Sequence, residues 1–514
     1  MQGEHSPVAC APGFLLESQQ GAPVASRIAN AVTHTSASPV ACAPGCLLGS
    51  HQEAPGASRG ANAVTHTTAD PAEGARRTTQ RWCVVGAGPS GLTALKNLLQ
   101  AGIEAECLER EDDIGGNWYY GSAASSVFES TRLISSKTLT EYTDFPMPRD
   151  WPAYPDHRQC LTYLRRYADH FGLRDAIRTH SAVERIEPAG GGSGWIVHVT
   201  GRGPTHYAGV VIANGHNREP RWPDIPGTFT GSLLHASQYK SPTVPVAISG
   251  RRILVIGAGN SGCDIAVEAS HHAAKTAHST RRGYFVVPRF ILGRPADLRN
   301  ERLLKMRTPL WLRRLISLRA IDRAIGLPWR HGLPQPDHRL WETHPIINEE
   351  LGRRIDSGAI QPRGDVARFD GGHVVFVDGR SEPYDVVICA TGYQTRLPFI
   401  DGRHLGGESA DAMPRLFLNL LHPTRDDIAV VGLIQPDSGQ WGLTDLQGRL
   451  VAAMAAATQR APRAAAWLYA QRQRSPRGAA IRYVDSPRHR LEVEHFSYRK
   501  HLERLIKGAE RRLR

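Results

Sequence analysis

The hydrophobic positions in the segment 81–110 follow two periods in turn. Trp82–Val85 is an uninterrupted apolar run, typical of a buried parallel strand, and residues 89–101 then place leucines at helical spacing. Residues 104–108 form a second strand-like run. The order strand, helix, strand predicts a βαβ unit of a parallel sheet.

The same pattern returns further along the chain. An apolar strand beginning at Ile253 leads into the sequence ILVIGAGNSG, residues 263–269 have helical spacing, and a second strand is expected to end within 276–282. Further predicted strands are 182–186, 195–200, 207–213, 374–377, 385–389 and 428–433, and further predicted helices are 158–171 and 445–457. We therefore predict an α/β fold with two Rossmann-like dinucleotide-binding domains, each with inserted antiparallel strands.

Both predicted helices begin with glycines at G-x-G-x-x-G spacing. These glycines are Gly86, Gly88 and Gly91 in the first unit and Gly257, Gly259 and Gly262 in the second. The first glycine allows a tight turn, the second lets a pyrophosphate approach the backbone, and the third lets helix and strand pack closely. Because a helix N-terminus also offers free N–H groups to phosphates, both turns predict dinucleotide sites.

The end of the second strand distinguishes the two sites. Glu109 follows the first glycine turn at the distance where an acid accepts hydrogen bonds from a ribose 2′-hydroxyl. The second unit has Arg281 and Arg282 there, and a guanidinium pairs bidentately with a 2′-phosphate that an acid would repel. The second site is therefore predicted to take NADP(H).

Two dinucleotide domains in one chain indicate a bound flavin, FAD, in the first domain and an exchanging nicotinamide in the second. NADPH would give hydride to the flavin while the protein positions the rings and excludes water. A dithiol acceptor would require a C-x-x-C motif, which none of the eight cysteines forms. This leaves O2 as the main acceptor of the electrons.

Motifs in order along residues 80–460 resemble the flavin-containing monooxygenase family. The most specific is F-x-G-x-x-x-H-x-x-x-Y, formed by Phe229, Gly231, His235 and Tyr239 between the two glycine turns. The others are GAGPSG at 86–91, GGNW at 115–118, DFPMP at 144–148, GNSGCD at 259–264, ATGY at 390–393 and DLQ at 445–447. The resemblance implies a glutathione-reductase-like two-domain flavoprotein of the bacterial type, with N- or S-oxygenating activity such as N,N-dimethylaniline monooxygenase activity.

The resemblance also implies the cofactor contacts. Those to FAD are Gly86, Gly88, Pro89, Ser90, Gly91, Glu109, Asn117, Trp118, Thr391, Gly392 and Gln447. Those to NADPH and NADP⁺ are Gly257, Gly259, Asn260, Ser261, Gly262, Cys263, Asp264, Arg281 and Arg282. In the implied cycle, reduced FAD and O2 form a C4a-hydroperoxide that passes one oxygen atom to a soft nitrogen or sulfur of a small-molecule substrate. A dry cavity matters because water and proton leakage release hydrogen peroxide instead.

One departure from the family pattern concerns Ile134, which precedes the turn Ser135-Ser136-Lys137 where several members have an Asn near the flavin. Isoleucine supplies no amide for the flavin or its oxygen adduct, so the adduct is expected to be shorter-lived. An NADPH oxidase and a Baeyer–Villiger ketone monooxygenase stay open as alternatives, as does a non-catalytic FAD- and NADP-binding sensor. No catalytic residue is assigned, and Phe229 and His235 are expected to serve in packing or at a hinge.

Composition is that of an ordinary globular protein, with 41% hydrophobic and 22% charged residues. The net charge of +13 is dispersed and fits anionic cofactors better than nucleic acid, so no nucleic-acid partner is expected. No apolar run reaches the ~20 residues of a membrane span, and no secretion signal is visible. The cysteines favour a reducing, cytoplasmic location and no metal site is expected. The sequence does not define the oligomeric state and is compatible with a homo-oligomer.

Residues 1–75 contain a tandem repeat, 6–37 and 38–69, rich in Ala, Pro, Gly, Ser and Thr. Such composition buries too little apolar surface to offset chain ordering, which predicts a disordered tail or upstream sequence included by a misplaced start. The domains expected after it are FAD-binding at 76–240 and 380–475, and NADPH-binding at 241–379. An insertion at 290–345 is expected to border the substrate cavity, and a basic tail to occupy 476–514.

Overall fold

The computed structural model describes residues 80–514 except 124, 191–192, 345, 475–482 and 484–489. The predicted tandem repeat at 1–75 lies outside the described residues.

The strands fall into two parallel sheets, two antiparallel three-stranded sheets and several short pairs. In chain order they are β1 Trp82–Val85, β2 Ala105–Leu108, β3 Ile177–Arg178, β4 Val183–Pro188, β5 Trp195–Val199, β6 Thr205–Tyr207, β7 Gly209–Ile212, β8 Glu219–Pro220, β9 Ser232–His235, β10 Arg252–Ile256, β11 Lys275–Ser279, β12 Val286–Val287, β13 Phe290–Ile291, β14 Arg294–Pro295, β15 Ile346–Ile347, β16 Ile360–Arg363, β17 Val366–Asp370, β18 His373–Phe376, β19 Ser381–Pro383, β20 Val386–Cys389, β21 Tyr393–Gln394, β22 Ile428–Val430, β23 Gln435–Pro436 and β24 Glu492–Val493.

The α-helices of the described chain are α1 Pro89–Gln100, α2 Lys137–Thr140, α3 His157–His170, α4 Asn260–His272, α5 Ala296–Lys305, α6 Leu310–Ile325, α7 Leu351–Asp356, α8 Trp441–Arg460, α9 Pro462–Arg472 and α10 His495–Leu513. Short 3₁₀ turns span Gly116–Trp118, Arg174–Ala176, Pro328–His331 and Gly402–Leu405.

The two parallel sheets repeat one plan, and this confirms the predicted fold class. The first has the strand order β22-β7-β1-β2-β3 and the second the order β16-β11-β10-β20-β9, with every neighbouring pair parallel. In each unit a three-stranded antiparallel sheet, β4-β5-β6 or β17-β18-β19, precedes the strand that returns beside the first one. The central strands β1, β7, β10 and β20 are almost entirely buried, as apolar runs covered on both faces should be.

Sheet membership departs from the expected domain boundaries at two strands. β9 and β20 lie within segments expected to be FAD-binding, yet they pair with each other and with β10 of the second sheet. The reason is topological, because the second sheet takes its edge strand from the chain before β10 and its returning strand from the chain after the meander. β22 completes the first sheet instead.

The segment expected to be a basic tail contributes a helix to the core. α10 buries Leu502, Leu505 and Ile506 in the same apolar cluster as α1 and α8. Its apolar residues recur at helical spacing, and the basic residues occupy its other faces. None of the helices that the structure describes combines the length and hydropathy needed to cross a bilayer.

Candidate cofactor sites and substrate cleft

The first glycine turn joins β1 to α1 by close backbone contact. Gly86 has φ +99°, a left-handed value that favours glycine. A Cβ on Gly91 would lie 1.7 Å from the Gly86 carbonyl oxygen, so any larger residue would push the helix from the strand. Gly88 is the N-cap of α1 and no side chain caps the helix. The N–H groups of its first turn are therefore available to an anion.

Glu109 lies directly after β2 and is brought to this turn. Its Oε2 accepts from Ala87 N–H at 2.7 Å, and its Oε1 accepts from Glu111 N–H at 3.0 Å. Burial raises the pKa of the Glu109 carboxyl, against the two backbone donors, which lower it. Each oxygen keeps a further lone pair, which is what accepting ribose hydroxyls requires.

The GGNW sequence folds into a 3₁₀ turn against the same glycines. A Cβ on Gly116 would lie 2.9 Å from the Cα of Gly88. Asn117 Oδ1 accepts from the backbone N–H and the hydroxyl of Ser126, both at 2.8 Å, and the Trp118 ring meets the edge of Trp441. This turn therefore packs directly against the first glycine turn.

Gln447 on α8 supports the start of α1 through a neighbouring glycine. Its Oε1 accepts from Gly432 N–H at 2.9 Å, and its Nε2 donates to the Tyr498 hydroxyl at 2.7 Å. A Cβ on Gly432 would lie 2.2 Å from Ser90 Oγ. Both ends of the Gln447 amide are thus held by the protein, and the side chain fixes a glycine beside Ser90 at the start of α1.

Thr391 and Gly392, which were also expected at FAD, do not lie beside the first glycine turn. They follow β20, and a Cβ on Gly257 would come within 2.4 Å of the neighbouring Ala390 carbonyl oxygen. The Gly392 carbonyl accepts from Arg221 N–H at 2.9 Å. The structure therefore places them beside the second glycine turn, where the chain crosses between the two sheets.

The second glycine turn repeats the geometry of the first. Gly257 has φ +120°, and a Cβ on Gly262 would lie 2.1 Å from the Gly257 carbonyl oxygen. Gly259 is the N-cap of α4, again without a side-chain cap. The turn has one support that sequence reasoning missed: buried His278 bonds the Gly257 carbonyl through Nε2 at 2.9 Å. Burial lowers the pKa of His278, which favours a neutral ring donating to that carbonyl. The sequence signal for this support was a single histidine within an otherwise buried strand.

Three of the residues expected at NADPH, namely Asn260, Cys263 and Asp264, contact other residues of the protein. Asn260 Oδ1 accepts from Ile347 N–H at 2.7 Å, and Asp264 Oδ1 accepts from Asn348 Nδ2 at 2.8 Å. Cys263 is buried beside the Tyr284 hydroxyl. Burial raises the pKa of Asp264 to about 6. These contacts fasten β15 to the start of α4, and Ser261 lies between them in the first turn of that helix.

Arg281 and Arg282 follow β11 and are exposed. Among the described residues neither guanidinium forms an ion pair, which leaves both able to take an external phosphate. The preceding Thr280 is buried and its N–H donates to the Arg363 carbonyl at 3.0 Å. The two cations therefore project from a fixed strand end.

The residues of the F-x-G-x-x-x-H-x-x-x-Y motif pack the second sheet. The Phe229 ring lies 5.6 Å from that of Phe369, and a Cβ on Gly231 would lie 2.7 Å from the Phe229 ring. His235 is fully buried at the end of β9, with Nε2 3.1 Å from the Gly392 carbonyl oxygen, and burial lowers its pKa. Buried Tyr239 donates to Glu268 Oε2 at 2.7 Å. These contacts are those of packing and chain positioning.

A cleft with about 740 Å³ of empty space, open solvent at its mouth included, lies between the insertion, the loop of Ile134 and Tyr154, and the chain around α8 and α10. Ile134 and Tyr154 reach it from the first unit, and Asp437 and Phe496 from the chain around α8 and α10. The remaining lining comes from the segment 287–347, with Val287, Pro288, Ile291, Ala296, Asp297, Arg299, Asn300, Ser317, Ala320, Ile321, Leu340, Trp341 and Ile347, together with Ser438.

A buried ion pair connects two motifs that are far apart in sequence. The Lys96 ammonium on α1 lies 2.6 Å from Asp144 Oδ2 of DFPMP and 2.9 Å from Asp445 Oδ1 of DLQ. Asn97 Nδ2 also donates to Asp445 Oδ1, at 2.9 Å. Sequence reasoning named both motifs and missed Lys96, whose place within an ordinary helical pattern gave no signal. The two motifs serve to hold α1 against α8.

The chemistry of this arrangement follows from the two turns. The first fits FAD: it has a glycine cradle that a Cβ would fill, an uncapped helix N-terminus and a buried acid beside it. The second has the same cradle with arginines in place of the acid, which fits NADPH. Two such turns in one chain define the class of flavin- and nicotinamide-dependent oxidoreductases.

Comparison with known proteins names the family. A model described as flavin-binding monooxygenase-like matches residues 79–511. Rat flavin-containing monooxygenase 5 is 33% identical over 452 residues, covering 83% of each chain, and rabbit flavin-containing monooxygenase 1 is 33% identical over 387 residues, covering 70% of each. The chain therefore belongs to the flavin-binding monooxygenase-like family, and it is an FAD- and NADPH-dependent monooxygenase with O2 as co-substrate.

Solved structures show the same fold. The S-allyl-L-cysteine S-oxygenase of Allium sativum has a TM-score of 0.57 at 20% identity, with 84% of this chain and 89% of that chain covered. An ε-caprolactone-bound cyclohexanone monooxygenase has a TM-score of 0.61 at 18% identity, with 84% and 99% covered. Since S-oxygenating and ketone-oxidising enzymes both share the fold, the fold does not select the substrate.

Proposed function

We propose that the enzyme oxygenates a soft nitrogen or sulfur of a small molecule bound in the 740 Å³ cleft. The observation that supports this is the lining of the cleft, which brings Ile134 together with side chains of the insertion and of the chain around α8 and α10. When bound, FAD takes hydride from NADPH and activates O2 for the transfer of one oxygen atom. Apolar side chains around the cleft limit the water that would divert this chemistry to peroxide.

The cofactor contacts of the individual residues belong to the same proposal. The first glycine turn, Glu109 and the Gly116–Trp118 turn would hold FAD, and Gln447 would act by fixing Gly432. The second glycine turn with Arg281 and Arg282 would hold NADPH. Thr391 and Gly392 lie where the chain crosses between the sheets, so they would act between the two cofactors.

A second candidate function, an NADPH oxidase, is favoured by one observation. Ile134 lines the cleft with an apolar side chain, so it provides no amide hydrogen bond at the position where several family members have an Asn. Such an enzyme would consume NADPH and O2 and release peroxide with little product. Baeyer–Villiger oxidation of a ketone shares the same cofactors and is a third outcome to be measured.

The decisive experiment follows NADPH consumption, peroxide and oxygenated product together. N,N-Dimethylaniline, a thioether and a cyclic ketone serve as substrates in parallel. Product from the amine or thioether in near-equal amount to NADPH supports the proposal. Stoichiometric peroxide with all three supports the oxidase, and lactone from the ketone alone supports the Baeyer–Villiger reaction. Absence of flavin bleaching by NADPH would instead identify a non-catalytic binding protein.

A cytoplasmic location is proposed from cysteine usage alone. Among the described residues, Cys83, Cys107, Cys160 and Cys389 are buried and form no disulfide, as in a protein from a reducing compartment. Cell fractionation with an antibody against the protein tests this location.

A further inference from the structure

Two carboxylates and the Arg299 side chain line the otherwise mainly apolar cleft. The two carboxylates differ in what they already bind. Asp297 accepts through Oδ2 from Ser136 N–H at 2.6 Å and through Oδ1 from Leu298 N–H at 2.8 Å. It therefore holds the start of α5 against the loop that contains Ile134. Both of its oxygens are engaged by this structural role.

Asp437 has one oxygen to spare. Its Oδ1 accepts from His495 N–H at 2.9 Å, and within the described chain no hydrogen bond to its Oδ2 is found. The adjacent Ser438 hydroxyl is buried and likewise lacks a hydrogen-bond partner there. Both residues line the cleft. An unsatisfied hydroxyl beside a half-engaged carboxylate indicates a site where a ligand's polar group completes the hydrogen bonding.

The charges around Asp437 are mostly negative. Glu494 caps α10 by accepting from Phe496 N–H and Ser497 N–H, and the Oε2 of buried Glu492 lies 3.5 Å from His344 Nδ1. The groups facing Asp437 from the surrounding elements are Glu492, Glu494, Arg313, His344, Tyr483 and His495. Among the described residues here, the carboxylates of Asp437, Glu492 and Glu494 thus face the Arg313 guanidinium, which stacks on the Trp341 ring, and the His344 ring beside Glu492. The field at this end of the cleft favours a cation.

We propose that the cleft prefers substrates whose reacting nitrogen arrives as an ammonium ion, and that Asp437 accepts the proton from that nitrogen before oxygen transfer. The inference rests on the proposed function, since it chooses nitrogen over sulfur within the same cleft. Asp437 is then a catalytic residue in contact with the substrate.

The proposed step is a proton transfer without oxidation. The N–H bond of the ammonium breaks, its electron pair stays on nitrogen, and the proton binds an Asp437 carboxylate oxygen. The freed lone pair then forms the N–O bond with one atom of O2, and the other atom leaves as water. NADPH supplies the two electrons and is oxidised to NADP⁺.

The acidity of Asp437 suits this role. Burial, and next the charge of Glu494, raise its pKa to about 7. A group with a pKa near the working pH is populated in both protonation states, as a proton acceptor that must be recycled requires. An ordinary exposed aspartate, with a pKa of about 3.9, would be a far weaker base.

The test compares Asp437→Asn with the wild type on two substrates of similar size. N,N-Dimethylbenzylamine arrives mainly as a cation and benzyl methyl sulfide is neutral. We expect the ratio of kcat/KM for the amine to that for the sulfide to fall about 10- to 100-fold in the variant. The wild-type amine profile should fall below a midpoint near pH 7, where Asp437 is protonated, and the variant should lack this limb.

Two variants separate this role from a structural one. Asp437→Glu keeps the carboxylate and should restore much of the ratio. Asp297→Asn alters the other cleft carboxylate and should affect both substrates alike, because that side chain already holds the loop. Equal losses on amine and sulfide in Asp437→Asn, with FAD retained, would overturn the proposal.

A binding measurement keeps the inference independent of turnover. Benzyltrimethylammonium has the same shape and a permanent charge, but no lone pair to oxygenate. Its Kd by calorimetry should rise about tenfold in Asp437→Asn, while that of benzyl methyl sulfide stays nearly constant. If the wild type oxygenates neither substrate, the proposed function fails. An unchanged Kd for the ammonium ion would refute the role of Asp437 itself.

Discussion

The Lys96 ammonium lies 2.9 Å from Asp445 Oδ1, and both side chains are almost completely shielded from solvent. Lys96 belongs to α1, which begins at the first glycine turn, and Asp445 belongs to α8. A buried charge without its partner keeps its desolvation cost and loses the compensating attraction. The pair therefore makes the position of the glycine turn depend on α8.

Replacing Lys96 by Met should destabilise the protein markedly. Asp445 would lose its cation and keep only neutral donors, so we expect a loss of about 3 kcal/mol in the free energy of unfolding, with weaker FAD retention. Urea denaturation and the ratio of flavin to protein absorbance measure the two effects. Arg499→Ala removes an exposed pair with Glu503 and should change the free energy by less than ~0.5 kcal/mol. Similar losses in both variants would contradict the interpretation.

The third glycine of each turn should control a different cofactor. Gly91→Ala places a Cβ 1.7 Å from the Gly86 carbonyl oxygen, so the purified variant should lose most of its FAD. Gly262→Ala meets the Gly257 carbonyl oxygen at 2.1 Å and should retain FAD while its KM for NADPH rises. Gly203→Ala has no atom within 4 Å of the new Cβ and is the matched control. Loss of FAD in Gly262→Ala would show that the two turns are not independent.

Arg281→Ala should weaken NADPH far more than NADH. A charge-assisted contact to phosphate contributes about 1.5–3 kcal/mol, which corresponds to an increase in the KM for NADPH of about 10- to 100-fold. NADH has no 2′-phosphate, so its KM should change little. Arg368→Ala, at an exposed position on β17, controls for the loss of one positive charge. Equal changes for both nucleotides in Arg281→Ala would refute the assignment.

Ile134→Asn should make oxygen transfer better coupled to NADPH consumption. A new amide facing the cleft can hydrogen-bond a polar reaction partner, and one such bond contributes about 0.5–1.5 kcal/mol. We expect the peroxide released per NADPH to fall by about 2- to 10-fold. Ile134→Leu changes shape without adding a polar group and should leave the ratio near the wild-type value. An unchanged ratio in the Asn variant would show that this position does not govern leakage.

Asp264 should give the protein a pH-dependent instability. The pKa of Asp264 in the folded state, about 6, lies above its ordinary value of about 3.9. Between these two pH values the folded protein binds a proton at Asp264 that the unfolded chain does not. Stability therefore falls as the pH rises from about 4 to about 6, by at most ~3 kcal/mol. The free energy of unfolding of wild type minus that of Asp264→Asn, measured across this range, isolates the effect. A difference that stays constant with pH would argue against a raised pKa.

The local part of the fold could be predicted from the sequence, because buried strands and glycine turns are encoded within short windows. β1, α1 and β2 end within one residue of the predicted limits. α10 was missed because basic residues dominate its composition, although Leu502, Leu505 and Ile506 carry a helical period. In the insertion, α6 buries little apart from Arg313 and Ile321, so no clear period was present.

The sequence motifs of the candidate site could be predicted, but the contacts between residues far apart in the chain could not. Lys96 is 48 residues from Asp144 and 349 from Asp445, and no local pattern connects such distant charges. Asp437 likewise acquires its surroundings only when β23 pairs with β24. Both depend on tertiary packing, which sequence periodicity does not encode.

The support of Gln447 by Tyr498 has a consequence for how the protein is made. Gln447 fixes the glycine beside Ser90, and Tyr498 on α10 fixes Gln447. Roughly 400 residues separate Ser90 from Tyr498, which a ribosome takes about 20–80 s to add. The first glycine turn is thus synthesised early, but its support by Gln447 and Tyr498 is complete only after α10 has been added. We therefore expect FAD to bind tightly only after α10 has left the ribosome.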